Sequence, residues 1–144
     1  MVAERLLLWE PAATDRGARL EHLRSDPEWV RVVPGHLDQM IDNLLANALE
    51  VAPAGSDITV AVKRAGANVE VHVLDRGPGL SGEDLEKAFH RFWRASPASG
   101  NGAGLGLAIV REMANANDGE AMLRPRDGGG LDAVIRFRRH EPPA

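Results

Sequence analysis

The sequence has no cysteine and no tyrosine, aromatics make up only 4% of it, and no apolar stretch, Leu6 to Trp9 included, exceeds four residues. Without cysteine there is no disulfide framework and no thiolate metal site, which fits a reducing compartment. An apolar run of that length falls far short of the ~20 residues needed to cross a bilayer, and no signal-peptide pattern opens the chain. This stretch therefore reads as soluble and cytoplasmic. Positive charge is not in excess either. Lys and Arg number 17 against 21 Asp and Glu, the formal net charge is -4 and the basic residues are scattered, so a nucleic-acid partner is disfavoured. What remains is a chain of 144 residues, 44% hydrophobic, the length of one domain with a core of its own, here taken as 1–144.

Apolar periodicity places the elements. Ala3, Leu6, Leu7 and Ala13 mark a first helix from Val2 to Arg16, bent at Pro11 and ended by Gly17. Two short strands are expected at Ala18 to Arg24 and Trp29 to Val33, separated by Ser25-Asp26-Pro27. Leu37, Met40, Ile41, Leu44, Leu45 and Ala48 form the i, i+3, i+4, i+7 stripe of a helix laid on a core. A hairpin follows, with Ile58, Val60 and Val62 alternating in its first strand and Val69, Val71 and Val73 in its second, where Asp75 shares the valine face. Ser81 and Asp84 make a capping box for a short helix toward Phe89. A loop rich in Ser, Gly, Ala and Asn spans Arg94 to Ala103. A further helix begins near Gly104 and stops at Asn117-Asp118-Gly119, and strands at Glu120 to Arg124 and Leu131 to Arg138 flank a turn at Asp127 to Gly130.

Four local patterns carry chemistry. Gln39, Asn43 and Asn47 stand four apart and share a helix face; an Asn amide oxygen is a suitable neutral ligand for Mg²⁺, which takes much of its remaining coordination from phosphates and water. Ordinary solvated amides are the plain alternative. Asp75 ends a strand facing the core, and a buried carboxylate needs donors; the exocyclic amine of adenine is one, and Gly77 and Gly79 would let backbone approach a flat base. The plain alternative is an Asp-Gly turn. The run Gly102-Ala103-Gly104-Leu105-Gly106-Leu107 opens directly into a helix, where free N–H groups and the helix dipole favour phosphate. It does not follow a strand, which sets aside the dinucleotide-binding and Walker A folds. Phe89-His90-Arg91-Phe92-Trp93-Arg94 combines aromatic anchors with arginines that can reach a polyphosphate.

In this order and spacing the four patterns resemble the catalytic domain of the histidine kinases, within the superfamily whose nucleotide site is called the Bergerat fold, shared with type II topoisomerases, a heat-shock chaperone and mismatch-repair ATPases. Asn43 to Ala48 is similar to the family's N box, Asp75 to Gly79 to its first glycine box, Phe89 to Phe92 to its F box and Gly102 to Leu107 to its second glycine box. The resemblance spans almost the whole chain. It implies a two-layer α/β sandwich, a mixed sheet of about five strands covered on one face by three helices, with ATP held between the helix layer and a lid.

The resemblance also implies roles. Asn47 would bind Mg²⁺, Asn43 would hydrogen-bond the phosphates and Asp75 would read the adenine amine. Gly77 and Gly79 would shape the base pocket, Arg94 would contact the terminal phosphate with Arg91 as a weaker candidate, and Gly102, Gly104, Leu105, Gly106 and Leu107 would close the lid end over the phosphates. Gln39 stands where some relatives hold a catalytic acid or base; an amide takes no proton, so it would only orient groups. Glu50 and Val51 replace the Lys and Tyr common after the N box, which removes one phosphate-binding cation and one stacking ring, and Gly130-Leu131 replaces a frequent Gly-Thr or Gly-Ser. The implied reaction moves the γ-phosphoryl of ATP to a histidine nitrogen. His22, His36, His72, His90 and His140 all lack the phosphoacceptor context and read as surface or packing residues. The acceptor would be a dimerisation helix pair in the same kinase, upstream of a fragment that is itself monomeric, the onward partner a response-regulator receiver domain, and the intact protein an inner-membrane sensor. An anti-sigma-factor serine kinase, a nucleotide-binding module without transfer activity and an ATP-hydrolysing member of the superfamily are the competing expectations.

Overall fold

The computed structural model describes residues 1–23, 25–90 and 106–142. The element order is α1 (Val2–Asp15), β1 (Arg19–Leu23), β2 (Trp29–Val30), α2 (His36–Val51), β3 (Asp57–Ala65), β4 (Asn68–Leu74), α3 (Gly82–Lys87), α4 (Gly106–Ala116), β5 (Glu120–Pro125) and β6 (Leu131–His140). Six strands form one mixed sheet in the order β1-β3-β4-β6-β2, with β5 also pairing β6. Only the β1–β3 pair is parallel. The mixed sheet expected, of about five strands, is thus a sheet of six. The strand expected at Trp29 to Val33 shrinks to two residues paired with Arg139 and His140: Pro34 has no amide hydrogen to extend a ladder, and the Val33 N–H is bound to the Asn117 side chain instead.

Helix α2 buries Met40, Ile41, Leu44, Leu45 and Ala48 of the stripe read from the sequence, with Leu49 besides, while Leu37 at its start is only partly buried against the core. It packs between α1 and α4, and the three helices lie against the sheet. From the sheet come Ile58, Val60, Val71, Val73, Leu123, Leu131, Ala133, Ile135 and Phe137. Residues such as Ile41, Leu45, Ile58 and Ile135 are fully enclosed, each burial favouring the fold by roughly 1.5–3 kcal/mol before conformational entropy is subtracted. Pro11 sits inside α1 without ending it. The Leu7 carbonyl, which loses its helical donor to the proline ring, belongs to a residue 72% exposed, so water can satisfy it.

Two of the three helices that lie against the sheet, α1 and α4, end in the same way. At the end of α1 the Ala18 N–H donates to Ala13 O and the Gly17 N–H to Thr14 O, with Gly17 at φ 71°. At the end of α4 the Gly119 N–H donates to Ala114 O and the Asp118 N–H to Asn115 O, with Asp118 at φ 59°. These are Schellman closures. In the second the left-handed position is held by an aspartate, because the following Gly119 is needed for a different reason: a Cβ there would run into the Arg136 carbonyl and the Phe137 ring.

Three polar ties fix α2 and α3. Asp42 receives Arg5 Nε (3.1 Å) and Nη2 together with the Trp9 indole N–H (2.9 Å), which binds α1 to α2. The Asn117 amide bridges the Val33 N–H, His36 Nδ1 and Met113 O, which joins the start of α2 to the end of α4. Ser81 caps α3 by accepting from the Asp84 N–H at 3.4 Å.

The other face of the sheet departs from the alternation. Glu70 and His72, opposite the valines of β4, are buried rather than solvated. His72 Nδ1 bonds Asp132 (2.9 and 3.0 Å) and Nε2 bonds Glu70 (2.9 Å), while Arg136 Nε and Nη2 hold the second Glu70 oxygen at 2.9 and 2.7 Å. His72 is therefore a packing residue, but an ion-paired one, which its alternation with valine does not reveal.

Candidate nucleotide site

The site is assembled where β4 ends beside the start of β6. Asp75 follows β4 directly and is 2% exposed. Its Oδ1 accepts from the Gly77 N–H (2.8 Å) and from the Leu131 N–H (3.2 Å), and its own N–H donates to Leu131 O (3.0 Å). Arg126 Nη1 donates to the Asp75 carbonyl at 3.0 Å. Among the described residues Oδ2 has no hydrogen-bond donor. Burial pushes the Asp75 carboxyl above its ordinary range, against the two backbone donors and the Arg126 charge.

Glycine is required here by the chain itself. A Cβ on Gly130, at φ 107°, would overlap the Asp75 carbonyl; on Gly79 it would come 3.1 Å from Gly130 O, and on Gly77 2.8 Å from the Val51 methyl. The space expected for a base at Gly77 and Gly79 is thus bounded by Val51 and Gly130. Val51 lies one turn beyond Asn47 on α2, so its contact with Gly77 brings the N-box face of the helix alongside the Asp75 turn.

On that helix Asn43 and Asn47 are half-buried and Gln39 is exposed. The Asn43 Nδ2 is enclosed and is the buried side-chain donor without a partner among the described residues. Leaving such a donor unpaired costs roughly 1–3 kcal/mol, and a phosphate oxygen is an acceptor of the right kind. A carboxylate short of a donor and an amide short of an acceptor fit an adenine nucleotide; the neutral oxygen of Asn47 fits a Mg²⁺ ion carried by its phosphates. Gly106 and Leu107 open α4, and among the described residues nothing stands within 4 Å of where a Gly106 Cβ would be. Phe89 is buried, with the Arg111 guanidinium 4.6 Å above its ring and Arg111 paired to Glu86 at 2.7 Å. Arg91, Arg94, Gly102, Gly104 and Leu105 lie outside the described residues.

Sequence reasoning named Gly130-Leu131 only as a departure from the family pattern, without the bond to Asp75, and passed over Arg126. The Leu131 contribution is a backbone N–H, which no side-chain pattern announces. The run Gly128-Gly129-Gly130, all at positive φ, was the available signal of a close approach.

Residues 32–141 match the family model described as histidine kinase-, DNA gyrase B- and HSP90-like ATPase. The sensor-like histidine kinase SenX3 of Mycolicibacterium smegmatis is 35% identical over 112 residues; the match takes in 76% of this chain and 29% of that protein. Full-length ShkA in complex with AMPPNP shares the fold with a TM-score of 0.85 at 24% identity, over 99% of this chain and 30% of that one. The histidine kinase ThkA in complex with the response regulator protein TrrA gives 0.77 at 22% identity, over 96% and 39%. The chain spans about three tenths of the length of SenX3. With its N-box helix, buried Asp75 and glycine turns in one place, the chain belongs to the histidine kinase-, DNA gyrase B- and HSP90-like ATPase family.

Proposed function

We propose that this domain binds Mg-ATP and presents its γ-phosphoryl to a histidine on a separate dimerisation and phosphoacceptor domain of the same kinase, from which a response-regulator receiver takes it. In that transfer the bond between the γ-phosphorus and the β,γ-bridging oxygen breaks, a bond from phosphorus to the imidazole nitrogen forms, and ADP leaves with the bridging oxygen. The observation that carries the reading is the buried Asp75 carboxylate, with its backbone donors on Oδ1, together with an enclosed Asn43 Nδ2 that has no partner among the described residues. The adenine amine would complete the first and a phosphate oxygen the second. Asn47 would hold Mg²⁺, which supplies charge neutralisation when bound. Catalysis then rests on positioning: Arg94, with Arg91 beside it, on the terminal phosphate, the 102–107 glycine run over the phosphate chain, and Gln39 orienting without taking a proton. The names of the relatives favour histidine over serine as acceptor, and their greater length favours a domain that works with others, in an intact protein anchored in the inner membrane while this domain is soluble, cytoplasmic and monomeric.

Calorimetric titration with ATP and ADP, with and without Mg²⁺, tests it. Binding strengthened by Mg²⁺, abolished in Asp75→Asn and made independent of Mg²⁺ in Asn47→Ala is expected; absence of binding at millimolar nucleotide would sink the kinase reading. Phosphate appearing on serine of a substrate protein, with none on an added phosphoacceptor domain, would select the serine kinase.

A further inference from the structure

The ionic cluster on the open face of the sheet touches the nucleotide site through one backbone bond. Asp132 immediately follows Leu131, whose N–H holds Asp75, and it is the register partner of Leu74, the residue before Asp75. His72, two residues earlier on β4, reaches diagonally to Asp132 and so pins the first residues of β6 against β4. Both ring nitrogens of His72 face carboxylates. Carboxylates only accept, so a neutral ring, which has one bare nitrogen, cannot satisfy both; the imidazolium can.

We propose that His72 is a positioning residue for nucleotide binding: as imidazolium it ties Asp132 to β4, and through the adjoining Leu131 N–H it keeps the Asp75 carboxylate aimed at the base. This rests on the nucleotide reading of Asp75. Loss of the proton from His72 leaves one carboxylate against a bare nitrogen. Glu70 keeps its two bonds from Arg136, whereas Asp132, with no other hydrogen-bond donor to its side chain among the described residues, loses the positive charge of the one donor it has, and a charge-assisted bond becomes a weaker neutral one. The surrounding charges moderate the release. Lys63 on β3 is the register partner of Glu70, Arg124 and Glu120 on β5 are those of Asp132 and Arg136, and Arg126, within the field of Glu21 on β1, also attracts Asp132. The hydrogen bond to Asp132 and the two carboxylate charges hold the His72 proton to higher pH than usual, against burial.

The test is ADP affinity measured by calorimetry from neutral to alkaline pH, on wild type, His72→Gln and Asp132→Asn, with the His72 ring followed by NMR with and without ADP. Affinity of the wild type should fall about five-fold as His72 deprotonates. By reciprocity the midpoint of His72 titration should rise by about 0.7 on the pH scale, the logarithm of five, when ADP is saturating. His72→Gln should bind at the weaker level throughout and lack the step; ionisation of ADP itself is common to both proteins and cancels. Asp132→Asn should behave likewise, and the midpoint change of the wild type stands even if a variant fails to fold. A wild-type profile parallel to that of His72→Gln, with the midpoint unmoved by ADP, would overturn the coupling while leaving the nucleotide site intact. No ADP binding by the wild type at any pH would overturn the reading of Asp75, and this inference with it.

Discussion

The two faces of the sheet are made by the same strands and are stabilised by different physics. Toward the helices, β4 and β6 present Val71, Val73, Ala133, Ile135 and Phe137 to one continuous core. On the opposite face the same strands present Glu70, His72, Asp132 and Arg136, joined by hydrogen bonds of 2.7–3.0 Å, with Glu70 and His72 less than a tenth exposed. The apolar face gains from each methylene independently and tolerates imperfect neighbours. The ionic face works as a unit, because each buried charge is tolerable only while its partners are in place.

The largest effect expected is on the apolar side. Ile135→Ala should lower unfolding free energy by roughly 3–4 kcal/mol, since it removes a fully enclosed side chain and leaves a cavity; urea denaturation measures it. Glu70→Ala should cost nearly as much, about 3 kcal/mol, by stranding the His72 and Arg136 charges, whereas Glu70→Ala in an Arg136→Met, His72→Leu, Asp132→Leu background should cost far less. If the single and the combined changes cost the same, the ionic face is not a unit and the comparison fails. Acid and alkali then separate the members. Burial opposes ionisation of Glu70, but Arg136 and His72 outweigh it and hold its carboxyl below the ordinary range, so its contribution is complete above the ordinary glutamate value and lost as pH falls through the lowered one. His72, raised by Asp132, contributes fully below its ordinary value and loses its contribution as pH rises through the raised one. Stability measured by urea denaturation across the pH range should therefore decline at both ends, with a limiting slope of about 1.4 kcal/mol per pH for each group as it titrates; His72→Gln should abolish the alkaline decline and shrink the acid one, which Arg136 still supports. A control lying on neither face gives the smallest effect: Asp118→Gly should stabilise by about 0.5–1 kcal/mol by relieving the left-handed position, with no change in either pH limb.

The apolar face was legible in the sequence and the ionic one was not. Periodicity is a statement about which side chains avoid water, and the stripe from Leu37 to Ala48 and the valines of β4 all landed where it put them. Glu70 and His72 obey the same alternation, yet they are enclosed by partners 60 and more positions away, Asp132 and Arg136, and no local pattern announces such a pairing. The site divides in the same way. Asn43, Asn47 and Asp75 could be proposed from residue type and spacing, while the Leu131 N–H, which holds the carboxylate, and the Gly130 backbone, which lies against the Asp75 carbonyl, belong to main chain brought in by β6. Gly77 and Gly79 were singled out as places where backbone would approach a base, whereas the neighbours a Cβ would meet there, Val51 and Gly130, are tertiary.

The position of β6 has a further consequence for how the domain is made. Residues 131–140 pair with β4, with β5 and with β2, which lies about a hundred positions earlier. A chain emerging in sequence order can close the β3–β4 hairpin at once through the two-residue Gly66-Ala67 loop, but it exposes one edge of β4 and the apolar side of α2 until its last strand arrives. Assembly is governed by that late, long-range closure, which should make folding slow for the domain's size and leave an aggregation-prone half-sheet as its characteristic intermediate.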